Sequence, residues 1–160
     1  MQALPAHSGG ARSAQRAFSI IELFTAVAVF GLLMAIAIPS YNGYIQRTKV
    51  TAATQDIGLL SMAIAHYQSL NNALPPDLAA IGFGAKLDPW GHPYAYLSFV
   101  GLKGKGQMRK DKSLVPINTQ YDLYSMGADG QSKPPLTAAV SRDDVIMAND
   151  GAYIGPAANY

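Results

Sequence analysis

The stretch that most limits what this chain can become runs from Phe18 to Ile38, FSIIELFTAVAVFGLLMAIAI, twenty-one residues that include a single charge, Glu22. At about 1.5 Å per residue, a helix of that length reaches roughly 30 Å, the depth of the hydrocarbon layer of a bilayer. A core helix of a soluble protein normally keeps a polar face, whereas residues 23 to 38 are apolar on every side apart from Thr25 and Gly31. The pattern therefore predicts one membrane-crossing helix. No later stretch rivals it, so the remainder reads as a soluble domain. The whole chain has 160 residues and 17.0 kDa, about one domain's worth. With 49% hydrophobic and 14% charged residues it is no disordered polyelectrolyte or coiled coil. Cysteine is absent, which excludes a disulfide framework and any thiolate metal site.

Two export signals fit the N-terminus, and they predict different mature chains. In an ordinary secretory signal the apolar run is discarded, with Ala35 and Ala37 forming a small-x-small site and cleavage before Ile38. In the other, MQALPAHSGGARSAQRA is a hydrophilic leader cut on the cytoplasmic side, and the apolar run is kept. Glu22, the only glutamate of the chain, separates them. A carboxylate near hydrocarbon costs several kcal/mol without a partner, and only the second signal supplies one: the amine created at Phe18 by cleavage.

The segment RAFSIIELFTAVAVFGLLMAIAIPSY resembles the class III signal and N-terminal helix of type IV pilins and type II secretion pseudopilins. Phe18, Glu22 and Pro39 stand in that family's order, while Ala17 occupies the position before the cut where the family usually has glycine. The resemblance implies processing between Ala17 and Phe18 by a prepilin peptidase, with methylation of the new N-terminus. It also implies that Glu22 pairs with the amine of a neighbouring subunit during assembly, and that Pro39 kinks the helix. It sets the orientation as well, since Arg12 and Arg16 before the run are offset by Arg47 and Lys49 after it.

Beyond Pro39, the apolar residues Ala53, Ile57, Leu60, Ile64 and Tyr67 recur at helical spacing, which predicts that the helix continues to about Asn71 before Pro75 and Pro76. Residues 73–93 are punctuated by proline and glycine and read as loop, followed by an alternating strand from Tyr94. The strings LDPWGHPYAYLS (Leu87 to Ser98) and YDLYSMGADG (Tyr121 to Gly130) resemble the sheet entry and C-terminal loop of the major pseudopilin. Trp90 is expected to fill the gap between loop and helix. The resemblance implies a calcium site on Asp129, Asp143 and Asp144 with the carbonyl of Met126. Departures from the family are a longer connecting loop, Pro134 and Pro135 within it, and an Asn149-Asp150 ending.

Residues 101–113 carry Lys103, Lys105, Arg109, Lys110 and Lys112 against Asp111. Such a run is expected to be a solvated loop, or a docking surface for an acidic partner. No aromatic residue is interleaved for base stacking, and no nucleic acid is expected. The three histidines, His7, His66 and His92, are scattered, and no hydrolase, metalloprotease or phosphate-binding motif is present. No enzymatic activity is expected.

The expected fold is α+β: a long N-terminal helix, membrane-spanning in its first half, packed on a small antiparallel sheet with a C-terminal metal-binding loop. The expected segments are a leader (1–17), a transmembrane and filament-core helix (18–38), and a periplasmic pilin-like domain (39–160) that includes the second half of the helix. The implied function is that of a structural subunit of a type II secretion pseudopilus. Its partners would be copies of itself, minor pseudopilins, an inner-membrane assembly platform and the prepilin peptidase. It would be stored in the bacterial inner membrane with its C-terminal domain in the periplasm. A type IV pilus subunit and a monomeric, membrane-anchored periplasmic binding domain are the rival readings.

Overall fold

The computed structural model describes residues 18–160; the leader and Ala17 lie outside the described residues. Helix α1 runs over Ile20–Asn71, 52 residues, with Pro39 inside it. The helical spacing of the apolar residues beyond Pro39 thus corresponds to one continuous element. Proline has no N–H to give to the preceding turn, and next to it the Ser40 hydroxyl donates to the Ile36 carbonyl at 3.0 Å. At the C-terminal end, the side-chain amide of Asn71 donates to the Tyr67 carbonyl at 2.9 Å. Asn72 then adopts φ 50°, the left-handed conformation that ends helices and that asparagine tolerates.

The chain divides into two compact units, Met1–Asn42 and Gly43–Tyr160. The described part of the first is helical from Ile20 onward. The second holds the rest of α1 and a four-stranded antiparallel sheet of strands β1 (Ala95–Ser98), β2 (Tyr121–Ser125), β3 (Val145–Ala148) and β4 (Tyr153–Pro156). They lie side by side in sequence order. The register pairs Ala95 with Tyr124, Tyr124 with Ile146 and Ile146 with Gly155. The expected α+β class and the strand expected from Tyr94 are present, and β2 opens the string YDLYSMGADG that resembles the major pseudopilin.

Strand periodicity explains how the sheet is covered on both faces. Successive side chains of a strand point to opposite sides, yet all four residues of β3 are buried. Val145 and Met147, with Leu123 of β2, join Ala53, Ile57, Leu60 and Ile64 of α1 in one core. Ile146 and Ala148 face the other way, onto Ile117, Leu136 and Ala157 from the loops. One face is therefore closed by the helix and the other by the long connections between strands together with the turn after β4. That second cover is made of loop rather than helix, so what holds it in place is polar as well as apolar.

Candidate functional site

In the N-terminal unit, Glu22 stands in the first turn of α1. The first backbone bond there runs from the Leu23 N–H to the Ser19 carbonyl at 3.1 Å, and a carboxylate in this turn is favoured by the helix dipole. Phe18 lies four residues before Glu22, ahead of the first residue of α1, and is 82% exposed. Thr25 returns its hydroxyl to the Glu22 carbonyl at 2.9 Å, so it brings no unpaired donor to an apolar environment. Thirteen large apolar side chains between Phe18 and Ile38, from Phe18, Ile20 and Ile21 to Ile36 and Ile38, are exposed. The helix is long and apolar enough to cross a membrane, and none of its most apolar stretch is buried within the chain. Lipid or other copies of the helix are the two environments that would cover it.

In the C-terminal unit, the loop after β2 brings two of the expected calcium ligands together and separates the third. Oδ2 of Asp143 accepts the backbone N–H groups of Ala128 at 2.8 Å and Asp129 at 3.3 Å. Asp129 turns its own Oδ1 to the Gln131 N–H at 2.8 Å. Met126 is half-buried at the start of this turn. Asp144, next in sequence to Asp143, points elsewhere: its Oδ2 accepts from Nη2 of Arg109 and from the Ser132 hydroxyl. Burial pushes its carboxyl up to about 6, against the downward pull of Ser132 and Arg109. Asp144 is thus matched to an internal cation, while Asp143 serves the turn at Ala128 and Asp129. Among the described residues no three acidic or histidine side chains gather around a point where a metal could sit.

The turn of Asp143 leaves no room for a side chain at Gly127. Its φ is 66°, and a Cβ there would lie 2.5 Å from the Asp143 carbonyl oxygen and 2.6 Å from Oδ2. Gly127→Ala is expected to cost about 1–3 kcal/mol through the left-handed backbone and the displaced carboxylate, measurable by chemical denaturation; an unchanged midpoint would show that the loop is not held by Asp143.

Two groups of residues were not foreseen. Arg109, expected in a solvated basic run, is 2% exposed. The other group ties the turn before β1 to the loop after β2. Asp88 Oδ1 accepts the N–H groups of Trp90 at 3.0 Å and His92 at 2.8 Å, its Oδ2 accepts from the Ser125 hydroxyl, and His92 Nδ1 donates to the Gly127 carbonyl at 3.1 Å. An aspartate followed by Pro-Trp-Gly is an Asx-turn signal in the sequence; its bond to Ser125 is not. Trp90 packs against the core from half-buried positions and donates its Nε1–H to Gln46 of α1 at 3.1 Å, filling the expected gap.

No protein-family model matches the chain, and no solved structure matches it significantly. Curated relatives do. The chain is 30% identical over 141 residues to the type II secretion system core protein G of Pseudomonas aeruginosa, covering 75% of this chain and 88% of that one. It is 27% identical over 148 residues to the type IV major fimbrial protein FimA of Dichelobacter nodosus, covering 89% and 88%. It is 26% identical over 150 residues to a fimbrial protein of Neisseria meningitidis, covering 91% and 86%. These relatives are structural proteins rather than enzymes, and the architecture is one exposed apolar helix continuing into a helix-on-sheet domain. The chain belongs to the type IV pilin-like superfamily, together with the type II secretion core protein and the fimbrial subunits.

Proposed function

We propose that this protein is a subunit of a type II secretion pseudopilus. It is cut between Ala17 and Phe18 by a prepilin peptidase and held in the inner membrane by residues 18–38, with the C-terminal domain in the periplasm. An inner-membrane platform then extracts it into a short filament with further copies and with minor pseudopilins. The observation that carries this reading is the uncovered apolar run with Glu22 in its first turn, in a chain whose sheet domain already has a closed core. A helix with that surface has to be buried by something else, and in a filament its neighbours are copies of itself. The similarity to core protein G over 88% of that relative supports secretion, as does the absence of cysteine, since many pilins close their C-terminal region with a disulfide. The similarity to two fimbrial proteins over most of the chain favours a type IV pilus as the second reading. Deleting the gene in its own host separates them: secretion predicts loss of exported proteins with surface pili intact, and the reverse pattern assigns the chain to a pilus.

Processing has its own readout. The mature protein is expected to begin at Phe18 and to lack Arg12 and Arg16. Intact-mass analysis of membrane-extracted protein that places the start at Ile38 would mean that the apolar run is an ordinary, discarded signal.

A further inference from the structure

The sheet face turned away from α1 is closed around one buried cation. Nη1 of Arg109 donates to the Ser132 hydroxyl and, at 2.7 Å, to the Lys133 carbonyl, while Nη2 donates to Asp144 Oδ2. The guanidinium carbon lies 4.4 Å from the centroid of the Tyr124 ring. The backbone N–H of the same residue donates to Asp122 Oδ2 at 2.6 Å. Ser132 completes the triangle, its hydroxyl donating to Asp144 Oδ2 at 2.7 Å. Arg109 is 2% exposed and Asp144 0%. One side chain thus joins β2, the loop after it and the entry to β3, segments that lie far apart in sequence.

We infer that Arg109 is the resident cation of the C-terminal loop, occupying the structural role that the family resemblance gives to calcium, and that this loop folds without divalent metal. Calcium asks for six to eight oxygens. Asp144 Oδ2 is taken by Arg109 and Ser132, Asp143 Oδ2 by two backbone amides, and Asp129 Oδ1 by a third. The one buried carboxylate oxygen without a partner among the described residues is Asp144 Oδ1. A divalent ion reaching it would share its carboxylate with a guanidinium, two cations repelling each other in a poorly solvated site. A planar, permanently charged fork also suits this place, because it meets several acceptors at once where an ammonium would act as a point charge.

The test melts the full chain in detergent micelles, followed by near-ultraviolet circular dichroism from Trp90 and the tyrosines; it reads folding alone and is separate from whether the chain builds a filament. The wild-type midpoint is expected to be the same in EGTA and in millimolar calcium. Arg109→Met strands the Asp144 charge and should lower the midpoint by roughly 10 to 20 °C. Adding Asp144→Asn removes the stranded charge, and the double variant should recover at least half of that loss and stay indifferent to chelator. A wild-type midpoint that falls in EGTA and returns with calcium would overturn the inference. So would an Arg109→Met chain that melts like the wild type, or a double variant no more stable than the single one.

Discussion

Glu22→Ala is expected to insert into the membrane as well as the wild type and to lose at least a hundredfold in filament yield. The two halves of that result have opposite electrostatic origins. Insertion is hindered by charge in the hydrocarbon, so replacing a carboxylate in the first turn of an otherwise apolar helix by a methyl group removes a cost. In the proposed filament, assembly would bring the amine freed at Phe18 into a core made of apolar helices. With Glu22 gone that amine has no counter-charge, a loss on the order of 3–5 kcal/mol for a buried pair, and each 1.4 kcal/mol is a factor of ten in an equilibrium. Glu22→Asp, which keeps the charge on a shorter arm, should retain part of the yield. Electron microscopy of sheared filaments with immunoblotting of the membrane fraction reads both halves. A Glu22→Ala strain with normal filaments at normal yield would remove the pairing.

Leu60→Ala has the largest expected effect on the sheet domain itself. Leu60 is fully buried at the centre of the helical stripe, between Ile57 and Ile64, in the cluster completed by Leu123, Val145 and Met147. Its removal loses both the transfer energy of the side chain and the contacts around the cavity left behind, about 2–5 kcal/mol in cores of this kind. Ile57→Val, which trims one methylene from the same stripe, should cost about 0.5–1.5 kcal/mol. Denaturant titration gives both values. A Leu60→Ala midpoint within error of the wild type would mean that α1 does not anchor the sheet through this stripe.

The parts of this structure that were legible in the sequence are those governed by short periods. The spacing of Ala53, Ile57, Leu60 and Ile64 placed the helix and its buried face, and the asparagines and prolines after it marked the end near Asn71. Alternation in YAYLS marked β1, while β2 was marked by the resemblance of YDLYSMGADG to the major pseudopilin. Glu22 stood out because a charge is conspicuous in hydrocarbon, and the resemblance to type IV pilins and pseudopilins gave it an expected role in assembly. The loops were harder. Arg109 sits among four lysines and looks like one more solvated charge; its burial depends on Asp144, 35 residues away, and on Ser132. Asp143 and Asp144 look equivalent in sequence, but one serves the backbone of the turn at Ala128 and Asp129 while the other faces Arg109. Adjacent carboxylates diverge when the chain between them runs into a strand, and no local pattern says which partner each will meet. For the same reason the bond from Ser125 to Asp88, 37 residues apart, could not be read from the Asx-turn that Asp88 forms on its own.

In the proposed filament the apolar helix is covered by other copies of itself. The chain has no cysteine, so a crosslink in a doubly substituted chain reports only the introduced residues. Cysteine pairs scanned along the exposed helix, one partner between Leu23 and Val27 and the other between Leu33 and Ile38, should be oxidised in whole cells and resolved on non-reducing gels. A filament predicts a ladder of dimers, trimers and longer species for the pairs in register, abolished by Glu22→Ala. A monomeric band for every pair in the scan would contradict the account and leave a membrane-anchored domain that works alone.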